Sequence, residues 1–274
     1  MAFLGFLARP RATDQGAHRL LFDMDHVSYR YGDGSIGLSD VSVRIGERRV
    51  AVIGLNGSGK TTLLRVLDGS LTPSEGSVRI GRGRELLDPA RRADSRRIGK
   101  LVGRIRGDDP AAALPAGSSV GQILRKEARS HGSPASRSPT FVGDLLSRFS
   151  LSGAVDLPVS ALDGEQRHML AMARASAHSP SCVIADEPTA GLDEVGSAHV
   201  ASTLFSEASQ IVFSSHDLSM VADPGHGVER VLVLDHGAVV CDDSPRNATR
   251  FYADLIRSAY AAARRCESTE RRHR

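Results

Sequence analysis

The stretch Gly54-Leu55-Asn56-Gly57-Ser58-Gly59-Lys60-Thr61 constrains the fold more than any other part of the chain. A glycine, four residues, a second glycine, lysine and a hydroxyl residue make the P-loop pattern. The apolar run Arg49–Ile53 precedes it and the apolar-periodic segment Thr61–Leu71 follows, so the order is strand, loop, helix. In that setting glycines let successive main-chain N–H groups turn inward around a phosphate, and the helix N-terminus adds the positive end of its dipole. Gly54, Asn56, Gly57, Ser58 and Gly59 are expected to form the cradle. Lys60 is expected to reach the β- and γ-phosphates of a nucleoside triphosphate, Thr61 to set its hydroxyl on Mg2+, and Thr62 to bond the α-phosphate region.

A second element carries acid chemistry. Cys182-Val183-Ile184-Ala185 is an apolar strand that ends in Asp186 and Glu187, where an open α/β sheet places its ligand chemistry. Asp186 is expected to hold Mg2+ through its water shell, and Glu187 to polarise the water that attacks the γ-phosphorus. Pro188-Thr189-Ala190-Gly191-Leu192-Asp193 follows. Farther on, Ile211-Val212-Phe213-Ser214-Ser215 is another apolar strand and leads to His216, positioned to bond the γ-phosphate and the water.

Residues 20–31 read as a strand, and Gly32-Asp33-Gly34 as the turn of a hairpin-like start; Val41–Ile45 is a further strand. Residues 75–80 make a short strand, and Arg82–Arg97 is polar and irregular. Between about 99 and 165, helical pieces at Val120–Arg129 and Thr140–Phe149 stand among the flexible clusters Pro110–Ser119 and Ser130–Pro139, which reads as a helical insertion. Helix Glu165–Ala177, strand Cys182–Ala185, helix Glu194–Glu207, strand Ile211–Ser214, the hairpin Val231–Leu234 with Ala238–Cys241 and a helix over 246–263 complete the order. Strands that alternate with helices imply a largely parallel sheet covered on both faces.

A net charge of +3 among 274 residues gives no argument for nucleic-acid binding. Basic residues gather locally in Arg79–Arg106 and Arg264–Arg274 and are read as solvated surface. Cys182, Cys241 and Cys266 lack paired metal spacing, so neither a zinc site nor a disulfide framework is indicated. No apolar run approaches the roughly 18 residues that span a bilayer, so a membrane role needs a partner protein. Met1–Leu7 is apolar but a poor signal peptide.

The ordered set Gly54–Thr61, Leu162–Gln166, Asp186–Asp193 and His216 resembles the ABC ATPase family over about residues 20–245. The resemblance implies a P-loop NTPase of the ABC-ATPase fold, with a mostly parallel α/β core, an antiparallel β subdomain and a helical insertion subdomain. Residues 1–19 would be an extension and 246–274 a helix with a basic tail. Tyr31, a better match than Tyr29, would stack on adenine. The resemblance further implies ATP and Mg2+ as ligands, and a homo- or heterodimer in which each ATP lies between one P-loop and the other subunit's signature motif, with Asp193 near the seam. An integral membrane subunit would dock beside the insertion, at the cytoplasmic face of the membrane. Asn56–Leu63 and Ala190–Asp193 are similar to the ATPases of energy-coupling-factor (ECF) importers of vitamins or metal ions.

Two departures bear on turnover. Where the family has Leu-Ser-Gly-Gly-Gln, this chain has Leu162, Asp163, Gly164, Glu165 and Gln166. A carboxylate about 4 Å from a phosphate charge is repelled by roughly 4 kcal/mol at an effective dielectric near 20. Alternatively Asp163 caps the following helix in a capping box with Gln166, and both acids turn aside. Arg104 stands roughly where the family's glutamine loop has its glutamine. The expected function is the ATP-hydrolysing subunit of a transporter; a soluble ABC ATPase and a low-turnover, nucleotide-gated regulatory subunit are the alternatives.

Overall fold

The computed structural model describes residues 19–107, 114–130, 140–207 and 209–272, with side chains to residue 259. The Met1–Leu7 segment, residues 110–113 of the Pro110–Ser119 cluster, residues 131–139 of the Ser130–Pro139 cluster and the basic tail's side chains lie outside the described residues. Strands β1 (Leu21–Arg30) and β2 (Ile36–Ile45) form the expected hairpin, closed at Tyr31–Ser35 by Tyr31 N–H donating to Ser35 O at 2.9 Å. With β4 (Glu75–Arg82) and β5 (Glu85–Leu87) they make an antiparallel sheet of order β2-β1-β4-β5. β3 (Arg49–Ile53) leaves that sheet after Gly46 and enters a second one, of order β10-β9-β3-β8-β7-β6. Its other strands are β6 (Val102–Ile105), β7 (Cys182–Ala185), β8 (Ile211–Ser214), β9 (Arg230–Asp235) and β10 (Ala238–Asp243). Only the β9–β10 hairpin in it is antiparallel.

Period-two alternation divides β3 between two cores. Val50 and Val52 pack with Phe22, Met24, Ile45, Ile80 and the P-loop helix α1 (Lys60–Leu67) in the space between the sheets. Ala51 and Ile53 face the opposite way, into a core built with α3 (Val120–Ser130), α4 (Phe141–Arg148), α5 (Gly164–Ser176) and α6 (Glu194–Glu207). Both faces of the central strands are therefore buried, which is why β7 and β8 read as continuous apolar runs instead of alternating ones.

Three features differ from the sequence expectation. Arg82–Arg97, expected to be irregular, contributes β5 and the start of α2 (Arg92–Leu101); α2 buries only Ile98, so its apolar face is too thin to register as periodic. β6 lies inside the stretch assigned to the helical insertion, yet it joins the parallel sheet beside β7, so the helical part begins after it. Four residues, one of them the charged Arg104, are too short a run to signal a buried strand. A short helix, α7 (Leu218–Ala222), follows His216; Asp217 caps it by accepting from Ser219 N at 2.8 Å. The closing helix α8 spans Pro245–Arg272.

Candidate functional site

The loop between β3 and α1 closes tightly. Ser58 N–H donates to Leu55 O at 3.1 Å, Gly237 N–H to Ser58 O at 2.9 Å, and Leu63 N–H to Gly59 O at 2.9 Å. Gly59 is obligatory, because its φ is 105° and a Cβ there would lie 2.4 Å from Gly37 O. Lys60 is buried, and its ammonium curls back to donate to Gly54 O at 2.9 Å. The Ser58 hydroxyl is buried without a hydrogen-bond partner. A buried cation resting on loop carbonyls and an orphaned hydroxyl at the head of a helix fit a phosphate ligand, which would satisfy both.

The acidic strand end lies beside this loop. Glu187 Oε1 is 3.7 Å from Lys60 Nζ. The other carboxylate oxygen, Oε2, is 2.8 Å from His216 Nδ1 and accepts from His216 N–H at 3.2 Å. Glu187 takes a positive φ of 44°, a conformation that costs a non-glycine residue of order 1–3 kcal/mol and occurs most at functional sites. Asp186 is buried and accepts a 2.5 Å bond from Ser214 Oγ, which itself accepts from Glu187 N–H at 2.9 Å. Ser214 was not singled out from the sequence. Its signal was a lone hydroxyl at the end of an otherwise apolar strand. Thr61, Asp186, Asp68 and Arg106 line a cavity of about 20 Å³ that has room for a single water. The oxygen donors of Thr61 and Asp186 suit a hard cation such as Mg2+.

Tyr31 reaches α1: its hydroxyl is 2.7 Å from Thr62 Oγ1, and its ring meets Tyr29 edge-on at 4.9 Å. Of the two tyrosines, Tyr31 is thus the one bonded to the phosphate-loop helix.

Residues 162–166 contact their own chain elsewhere. Asp163 Oδ1 accepts from Gln166 N–H at 2.8 Å, and Gln166 Oε1 accepts from Asp163 N–H at 3.2 Å, a complete capping box at the start of α5. Glu165 Oε1 is 2.7 Å from His199 Nδ1 on α6. Asp193 Oδ1 accepts from Gly196 N–H at 2.8 Å and caps α6. Both acids of the altered motif therefore hold partners within the chain.

Arg104 does not stand at the carboxylates. Its guanidinium faces the end of α1, where it donates to Asp68 O at 2.5 Å and Nε lies 3.2 Å from Asp68 Oδ2, close enough to pair but not aimed as a hydrogen bond. Burial pushes the Asp68 carboxyl above its usual range, and Arg104 opposes the shift. The residue against Asp186 and Glu187 is Gly107, at the exit of β6. The expectation that Arg104 fills the glutamine position is corrected accordingly, because β6 runs one residue past it before reaching the level of Ala185.

A cleft of about 1040 Å³ runs between α6 and α7 from Arg49 and Phe205 to His216, and the phosphate loop is not part of its lining. The nucleotide reading therefore rests on the loop's geometry.

Comparison with known proteins gives a family. A family profile described as "ABC transporter" matches residues 38–190. A Deinococcus radiodurans protein named as an ABC transporter ATP-binding protein is 29% identical over 237 residues, 86% of this chain and 99% of the relative. The energy-coupling factor transporter ATP-binding protein EcfA of Methanothermobacter thermautotrophicus is 30% identical over 245 residues, 87% of this chain and 75% of that one. Among solved structures, cbiO1 from Clostridium perfringens, described as part of the ABC transporter complex cbiONQ, superposes with a TM-score of 0.71 at 27% identity, covering 88% of this chain and 94% of that one.

Proposed function

The chain belongs to the ABC transporter ATP-binding family, and from that premise we propose that it drives a membrane partner by ATP-dependent closure of a dimer. It is an ABC ATPase. The observation that carries the mechanism is the meeting of Lys60, at the head of α1, with Glu187, which is bonded to His216, at the exits of the neighbouring strands β7 and β8. Lys60 and the loop amides bind and orient the triphosphate, and Tyr31 stacks on the adenine. Glu187 takes the proton of the attacking water, while His216, bonded to the same carboxylate, fixes its direction. Thr61 and Asp186 hold Mg2+, which neutralises phosphate charge when bound.

The finer assignment is an ECF-type importer of a vitamin or metal ion, supported by the likeness to EcfA and to cbiO1. The chain would sit at the cytoplasmic face of the membrane, held by a membrane subunit; among the described residues no helix is long and apolar enough to cross a bilayer. Because Asp163 and Glu165 bring negative charge to the motif offered to a partner, the favoured assembly is a heterodimer whose other subunit has an uncharged motif. One good site would then form from this chain's loop and that motif. Affinity purification of the tagged chain from its own membranes tests the assignment. Recovery of an integral membrane protein and a second ATPase is the expected result. Recovery of the chain alone, from membranes in which it is abundant, would contradict a transport role.

A further inference from the structure

We propose that Arg106 lends a fixed positive charge to the phosphate end of the nucleotide site, so that ATP binding depends only weakly on Mg2+. The inference rests on the nucleotide reading above. β6 and β7 run parallel with Ile105 beside Ala185, and Asp186 N–H donates to Ile105 O at 2.9 Å. The next residues of the β6 exit, Arg106 and Gly107, therefore come level with Asp186 and Glu187.

A Cβ at Gly107 would lie 2.7 Å from Asp186 O and 3.1 Å from Glu187 Cβ, so no side chain fits there unless the backbone moves. Arg104, two residues back on the same face of the strand, is taken by Asp68. Among the described residues of this edge, Arg106 is left as the side chain brought to the site; its charge also acts on Asp68, whose hydrogen bond and ion pair are with Arg104. It is exposed, and it lines the small cavity together with Thr61 and Asp186.

A guanidinium is permanently charged and its fork matches phosphate oxygens. Placed beside Thr61 and Asp186 it does two linked things. It attracts the triphosphate, and it repels a divalent ion at the same place. Both shift the work of holding the phosphates from the metal to the protein.

Calorimetric titration of ATP into the full chain, in excess Mg2+ and in EDTA, tests this with the native protein, Arg106→Gln, Arg106→Lys and Lys60→Ala. Removing Mg2+ is expected to weaken native binding by at most about tenfold, and Arg106→Gln to lose about another tenfold in EDTA, the scale of one charged hydrogen bond. Arg106→Lys should recover part of that loss, and all variants should melt as the native chain does. Native affinity of Arg106→Gln in EDTA overturns the proposal, as does loss of native binding beyond about a hundredfold on Mg2+ removal. If native protein binds MgATP, Lys60→Ala does not, and Arg106→Gln matches native under both conditions, this inference alone falls. Failure of the native chain to bind MgATP removes the nucleotide reading itself.

Discussion

Glu187 and His216, at the exits of neighbouring strands, share one carboxylate oxygen: it lies 2.8 Å from the imidazole Nδ1 and 3.2 Å from the same residue's main-chain nitrogen. The positive φ of Glu187 turns the carboxylate toward His216 and Lys60 at once. A group so held is suited to take a proton from water. Glu187→Gln keeps size and most hydrogen bonds but removes the base. Phosphate release should fall by about 10²–10⁴-fold while ATP still binds. Hydrolysis at the native rate in this variant would remove Glu187 from the mechanism.

The acids of the 162–166 motif predict a separable pair of effects. Asp163→Ser retains an N-cap oxygen, whereas Asp163→Ala loses it and should lower stability by about 1 kcal/mol. Joined with Glu165→Gly, Asp163→Ser also removes the negative charge. ATP turnover by the chain alone should then rise at least about tenfold, well within the roughly 4 kcal/mol of repulsion available at 4 Å. Urea melts and phosphate-release rates of both variants check this, and unchanged turnover in the double variant would leave Asp163 as a helix cap and Glu165 as the partner of His199 only.

Arg104 and Asp68 give a pH-dependent prediction. Asp68 is buried, and its carboxyl titrates above the ordinary value because burial disfavours its charge. A group whose pKa is raised on folding favours the folded state when protonated and opposes it as pH rises through the folded value. Arg104→Met takes away the stronger of two compensating cations, Arg106 being the weaker. The variant should lose about 2–3 kcal/mol near pH 7.5, the low end for a broken buried pair because Arg104 is 34% exposed. The deficit should be smaller at pH 5, because a carboxyl that titrates above its ordinary value is the more protonated at the lower pH. Chemical denaturation at the two pH values measures both, and a deficit independent of pH would contradict the assignment.

The parts legible in the sequence were those whose pattern is local. Gly54–Thr61 and Cys182–Glu187 each announce a strand end and its chemistry within eight residues, and the β1–β2 turn is written in Gly32-Asp33-Gly34. The capping box of Asp163 and Gln166 is likewise a three-residue rule, whereas the Glu165–His199 pair joins two helices and leaves no local trace. β6 escaped notice because its identity comes from pairing with β7, 80 residues away in Val102 and Cys182, and not from its own four residues. With it went the true place of Arg104 and the close approach of Gly107 to Asp186. Ser214 was passed over for the same reason, since its role depends on the neighbouring strand that carries Asp186.

Lys60 offers the most direct test of the account. Its buried ammonium rests 2.9 Å from Gly54 O and 3.7 Å from Glu187 Oε1, a position from which it turns to the phosphates. Calorimetric titration of MgATP into native protein and Lys60→Ala should show binding by the first and a loss of about tenfold or more in the second, at least 1.4 kcal/mol. Equal affinities in the two folded proteins, or no uptake of heat by either, would contradict it.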